Sequence, residues 1–171
     1  MNSIDKNQPE KNHEDLQGPA AVAKIRELVD RAETCFFRTE GARPMNVRRV
    51  DDRGSLWFLA ANDTHWVQEL GAGGPVELFF QGSPHSGFLH LEGRASLSRD
   101  KAKIKELWEP TLNTWFTEGQ DDPRIAVIEV APTGGHYWDH KHGGLVAGVK
   151  MLIGAAVGVT LDDSIQGELK V

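Results

Sequence analysis

The fold turns on residues 55–70, Ser55-Leu56-Trp57-Phe58-Leu59-Ala60-Ala61-Asn62-Asp63-Thr64-His65-Trp66-Val67-Gln68-Glu69-Leu70. The first seven show no polar alternation, which predicts a strand covered on both faces. Asn62-Asp63-Thr64 then supplies capping residues, so the strand feeds directly into a short helix over His65 to Leu70. The N-terminal amides of such a helix point outward and suit an anion.

Towards the amino terminus, Asp51-Asp52-Arg53-Gly54 is a turn. Before it, Thr34 to Thr39 and Pro44 to Val50 are β-rich runs joined by Glu40-Gly41-Ala42-Arg43, a hairpin-length connection. Pro19 to Ala32 spaces Val22, Ile25, Leu28 and Val29 as one face of a helix, with Pro19 in its first turn. Towards the carboxyl terminus, Gly71 to Pro75 breaks the short helix. Val76 to Gln81 and Gly87 to Leu97 then pair around residues 82–86. Ser98-Arg99-Asp100 opens a helix with a stripe of Ile104, Leu107 and Trp108, ended by Pro110. Arg124 to Val130, Gly134-Gly135 and His136-Tyr137-Trp138 read as one long or bent final strand. Leu145, Val149, Leu152, Ile153 and Ala156 form a further helical stripe. About six strands and no repeated βαβ unit predict a mainly β, α+β chain: a six-stranded antiparallel split barrel with peripheral helices. The expected organisation is a polar, disordered arm at 1–18, the barrel domain at 19–142, and a helix and tail at 143–171 packed on that domain.

The 171 residues carry 25 acidic against 19 basic side chains, a formal charge of −6, which repels a phosphate backbone and argues against a nucleic-acid partner. The first 18 residues lack the apolar run of a secretory signal. Residues 143–158 contain Lys150 and fall short of the roughly 20 apolar residues of a span. A cytoplasmic address with no membrane partner is expected. The single cysteine, Cys35, sits in an apolar run and reads as a buried structural thiol. Ser83, His85 and Ser86 share a turn without an orienting acid, which disfavours a hydrolytic triad. His136, His140 and His142 lack a convincing further ligand, so no metal site is expected.

Several phrases, in order, resemble the general stress protein branch of the pyridoxamine 5′-phosphate oxidase family, the FMN-binding split barrel. They are Ala42-Arg43-Pro44-Met45, Ser55-Leu56-Trp57-Phe58, Asp63-Thr64-His65 with Val67 and Glu69-Leu70, and Glu106-Leu107-Trp108-Glu109-Pro110 followed by Trp115-Phe116. Tyr137-Trp138-Asp139 and Gly167-Glu168-Leu169-Lys170-Val171 extend the likeness to the carboxyl end.

The resemblance implies a homodimer with FMN, or alternatively FAD, at the interface, acting on a small-molecule ligand as a flavin-dependent oxidoreductase. It places the ring along Pro44, Met45, Asn46 and Val47 and along Leu59, Ala60 and Ala61, with Thr64 and His65 near the phosphate. Trp108 and Trp138 are further lining candidates. After Thr64-His65 the family pattern has a lysine facing the phosphate, whereas this sequence has Trp66. Arg43, Arg48 and Arg49 are the nearby cations able to replace it, an arginine fork being suited to phosphate. Three outcomes stay open: flavin held through an arginine, flavin held weakly, or a site adapted to another ligand. The alternative to a flavoenzyme is a non-catalytic binding module on the same barrel.

Overall fold

In the computed structural model, residues 12–141 and 163–171 are described. The elements run β1 (Leu16–Gln17), α1 (Pro19–Ala32), β2 (Thr34–Arg38), β3 (Ala42–Asn46), β4 (Arg49–Val50), β5 (Leu56–Ala61), α2 (His65–Leu70), β6 (Gly73–Gln81), β7 (Phe88–Ser98), α3 (Lys101–Leu107), β8 (Ile125–His140) and β9 (Ser164–Lys170). Short 3-10 turns at Pro110–Thr114 and Gly119–Asp121 link α3 to β8.

The sheet follows the order β1-β9-β8-β7-β6-β2-β3, and β5 pairs with both β8 and β4. All ladders between these strands are antiparallel except β1 with β9. The 16-residue β8 makes the split. One edge pairs with β7 from Val127 to Trp138, across a register shift at Glu92/Gly93. The other edge pairs with β5 over Ile125 to Val130 and then with β9 over Gly135 to His140. The circuit β5-β8-β7-β6-β2-β3 comes back to β5 only by the chain running from β3 into β4, which pairs with β5, so the barrel is split between β3 and β5.

Sequence explains the main pieces. In α1, Ala21, Ile25, Leu28 and Val29 form the buried stripe, and Pro19 sits in the first turn. The Asp51 carboxylate holds the β4–β5 turn: its Oδ1 accepts from the Arg53 and Ser55 amides, and its Oδ2 from Trp57 Nε1. Asp100 caps α3 by accepting from the Ala102 and Lys103 amides. The doubly apolar reading of β5 has a physical counterpart in two cores. Leu56, Phe58 and Ala60 face the barrel interior with Phe37, Leu78, Leu91 and Tyr137. Leu59, with Trp57 and Ala61 partly buried, faces a smaller core of Ile104, Leu107, Leu112 and Phe116. Cys35 is buried, and burial pushes its thiol up to about 12.

Three expectations are corrected. Among the described residues there are nine strands rather than six, because β3 and β4 are separate and the seven-residue β9 and the two-residue edge strand β1 extend the sheet. Part of the presumed disordered arm is ordered: Leu16–Gln17 runs parallel to Leu169–Lys170, His13 bridges to Gln166, and Tyr137 Oη donates to the Glu14 carbonyl at 2.8 Å. The presumed tail contains β9, so β8 is not the final strand; Gly167 allows the close crossing, since a Cβ there would meet the Glu14 carbonyl oxygen at 1.8 Å. The helix expected from 143 lies outside the described residues, as does His142. Among the described residues, no helix is long and apolar enough to cross a membrane.

Candidate functional site: the seam between β3 and β5

Antiparallel ladders turn alternate residues' amides and carbonyls towards one neighbour. Val47 N–H donates to the Glu33 carbonyl and Thr39 N–H to the Gly41 carbonyl, so the odd-numbered residues of β3 bond to β2. Ala42, Pro44 and Asn46 therefore turn their backbone groups to the other edge. Pro44 lacks an N–H, which suits an edge position. On β5, Asn62 N–H donates to the Arg124 carbonyl, so even-numbered residues bond to β8. Leu59 and Ala61 face away from β8, towards the edge that β4 covers only as far as Trp57.

The two edges meet at one end, where Arg48 N–H donates to the Trp57 carbonyl at 2.8 Å. Beyond it no ladder joins β3 to β5. The result is a seam with the backbone groups of Ala42, Pro44 and Asn46 on one side and of Leu59 and Ala61 on the other. Ala61 O is already taken by the Thr64 amide and by the Thr64 hydroxyl, at 3.2 and 2.7 Å.

The far end is filled from α2. Trp66 packs against the barrel core with its ring 5.6 Å from that of Phe37. The Arg43 guanidinium lies over the Trp66 ring at 4.6 Å, a cation–π contact, and donates to Thr39 Oγ1 at 3.3 Å. Residue 66 thus points inward as a plug, and Arg43 is the cation at that mouth. The other two arginines are committed elsewhere: Arg48 to Glu109 at 2.8 Å and Arg49 to Glu106. Among the described residues, no carboxylate is ion-paired with Arg43.

The expected site residues therefore separate. Arg43, Pro44, Met45, Asn46 and Val47 line the β3 side, and Leu59, Ala60 and Ala61 the β5 side, although the side chains of Leu59 and Ala60 are buried in the two cores. Thr64 stands at the α2 N-cap position without capping it, since its hydroxyl donates back to Ala61. His65 is exposed, with Nδ1 3.5 Å from Glu69. Trp108 lies behind β5, against the smaller core, 6.2 Å from Phe116. Trp138 is on the outer sheet face, 4.4 Å from His136. Within one chain it is not brought to the mouth at Trp66.

That outer face was not anticipated as a unit. Strand register aligns Pro44, Phe36, Phe79, His90 and His136 in one row across five strands. Phe79 stacks on His90 at 4.6 Å, and His90 Nε2 is 2.9 Å from Glu77 Oε2. Pro44, Phe36, Phe79 and His90 of this row line a hollow of about 490 Å³ together with Phe88 and Trp138. The alternation in Thr34–Arg38 and Val76–Gln81 was its available signal, because Phe36 and Phe79 occupy outward positions. Among the described residues, no group of three His, Cys, Asp or Glu could hold a metal ion.

Barrel, split strand and seam together define a split-barrel protein in which, among the described residues, no ladder joins β3 to β5 along the seam. The model of the family described as pyridoxamine 5′-phosphate oxidase like matches residues 20–162, and the chain belongs to that family. Solved structures share the fold. A general stress protein 26 candidate from Jannaschia sp. CCS1 superposes with a TM-score of 0.76 at 21% identity, covering 87% of this chain and 97% of that one. The general stress FMN/FAD binding protein of Xanthomonas citri gives 0.60 at 24% identity, covering 67% and 84%. A Clostridium acetobutylicum protein related to general stress protein 26 gives 0.60 at 21% identity, covering 70% and 88%. Among curated proteins, none matches the chain.

Proposed function

We propose that this protein binds a flavin, FMN in the first instance, along the β3–β5 seam and acts as a flavin-dependent oxidoreductase of the cytoplasmic stress response. The observation that carries the reading is the pair of unladdered backbone edges ending at Arg43. A flavin ring is flat and apolar with polar edges. Donors from Leu59 and Ala61 and acceptors from Pro44, Asn46 and Leu59 suit those edges, and the apolar walls of Met45 and Val47 suit the faces. The donor set fits the group. Arg43 offers its guanidinium to the phosphate in place of the family's lysine, with Trp66 as its platform. Bound there, the flavin supplies the electron chemistry, while the chain's residues bind, orient and exclude water.

A homodimer completes this reading. The seam is open on one side, and the exposed Phe36, Phe79 and Trp138 form an apolar surface of the kind that a second copy covers. The Xanthomonas citri structure, named for FMN/FAD binding, supports the cofactor class. Trp66 favours a second reading, a non-catalytic binding module, because its indole stands where the family carries a charge.

The test is the visible absorption spectrum of protein purified without added cofactor, with chromatography of whatever denaturation releases. Stoichiometric flavin is expected. No chromophore, together with no binding of FMN or FAD in titration, refutes the flavoprotein reading and leaves the module.

A further inference from the structure

The aromatic row on the outer sheet face ends in two adjacent histidines. His90 and His136 are register partners on β7 and β8, so their side chains stand next to each other on one face. Each has an aromatic neighbour: the His90 ring stacks on Phe79 at 4.6 Å with the planes 3° apart, and the His136 ring lies 4.4 Å from that of Trp138. Phe36, Phe79 and Trp138 are all exposed on this face. Imidazole is the side chain whose charge ordinarily changes between about pH 5 and 8. The row is therefore an apolar surface with two neighbouring positions that protons can charge.

The charged groups around the pair are already matched to one another. From β6, Glu77 Oε2 is 2.9 Å from His90 Nε2, but Glu77 Oε1 accepts from Arg38. From β9, Glu168 is the register partner of His136, and its carboxylate is 3.7 Å from Lys170 Nζ. Along β7, Glu92 shares the outward face with His90, and Arg94 follows it on that face. Each acid has a basic residue beside it, so protonating both imidazoles adds positive charge that no anion on the row is left to balance among the described residues. Like charges directly opposite on a sheet repel. In water that repulsion is screened and the ring contacts survive as cation–π contacts, so the fold keeps this face. Beneath a protein cover the same charges lose their hydration, which is unfavourable without partners.

We infer that this face meets the same face of a second copy of the chain, and that protonation of His90 and His136 releases it. The inference rests on the homodimer reading and adds a control to it. Two observations favour a second copy as the occupant. A two-fold contact needs a patch that complements itself, and the apolar row is flanked by Glu92 and Arg94, opposite charges that line one cleft without an ion pair among the described residues. The row also reaches Pro44 on β3, whose unladdered edge borders the seam, so a copy seated on the row covers the open side of the seam as well. Because the separated copy takes up these protons more readily than the assembled one, association weakens as pH falls.

The test is sedimentation velocity of the full chain over a concentration series, at about pH 7.5 and about pH 5.5 and at constant ionic strength. A dimer is expected at the higher pH, with a dissociation constant at least about tenfold larger at the lower. The double variant His90→Gln, His136→Gln should dimerise at both values with less than about a twofold difference, whereas His85→Gln, in the exposed β6–β7 turn, should keep the full pH dependence. Circular dichroism at both values establishes that each protein is folded. If the double variant is not, His136→Gln decides alone, and its fold-change must drop below half that of the wild type. A wild-type dimer equally tight at both pH values, or a pH dependence that survives in the variant, overturns the inference and leaves the homodimer standing. A monomer at the higher pH overturns both, and the flavin reading keeps its own test in the absorption spectrum.

Discussion

The two ends of the β3–β5 seam use the same residue type in opposite ways. At the closed end the Arg48 amide is laddered to Trp57, and Arg48 and Arg49 are neutralised by Glu109 and Glu106. At the open end the strands part and Arg43 rests on the Trp66 indole, with no carboxylate ion-paired to it among the described residues. An arginine on an aromatic face keeps its charge and most of its donors available. The comparison teaches that an indole at position 66 leaves this end of the seam with positive charge. That charge sits on β3, and the aromatic ring supports it.

The largest expected effect comes from removing that support. Trp66→Ala takes away both the plug against Phe37 and the platform under Arg43. Thermal or urea unfolding should show a loss of about 3 kcal/mol, at the low end for a buried aromatic truncated to alanine because Trp66 is only partly buried. A loss below about 1 kcal/mol would mean that the indole is not part of the core. Next comes Arg43→Gln, which should weaken FMN binding by about tenfold or more, the scale of a lost charge-assisted contact, while the melting temperature stays within about 2 °C. Arg49→Gln at the closed end should change FMN affinity less than about twofold. Comparable losses from both would erase the distinction between the ends.

The smallest effect is on acid stability. β5 is held beyond the seam by Asn62, whose amide donates to the Arg124 carbonyl and whose Nδ2 donates to the Pro123 carbonyl. That loop is fastened by Asp122, which accepts from the Arg124 amide, Nε and Nη2. The side-chain hydrogen bonds from Arg124 outweigh burial and bring the Asp122 carboxyl down from 3.8 to about 2. A depressed carboxyl stabilises the fold above its unfolded value and loses that contribution as pH falls through the folded value. Stability should therefore decline between about pH 4 and pH 2, and Asp122→Asn should lower the melting temperature at pH 7 but flatten that decline. An unchanged acid limb in the variant would remove Asp122 from the account.

Much of this geometry was legible in the residues. The helix over Pro19–Ala32 followed from a single apolar stripe, and the strand running into the helix His65–Leu70 from an apolar run ending in Asn62-Asp63-Thr64. Candidate residues on both seam edges were readable because the strands carrying them were. The strand β9 was not: Ile165, Gly167 and Leu169 alternate with polar residues, but their partners are at positions 13–17 and on β8, far away in sequence. The inward direction of Trp66 was equally hidden, since six helical residues give too little periodicity to fix a buried face. Trp138 was grouped with the seam by resemblance alone. Strand parity puts it on the outer face, where only a second copy could bring it to a seam.

The most direct test of the central claim is calorimetric titration of the wild type and Arg43→Gln with FMN and with riboflavin, which lacks the phosphate. The account predicts that the wild type binds FMN at least about tenfold more tightly than riboflavin and that Arg43→Gln binds the two alike. Equal affinities in the wild type, or a phosphate preference that survives in Arg43→Gln, would contradict it.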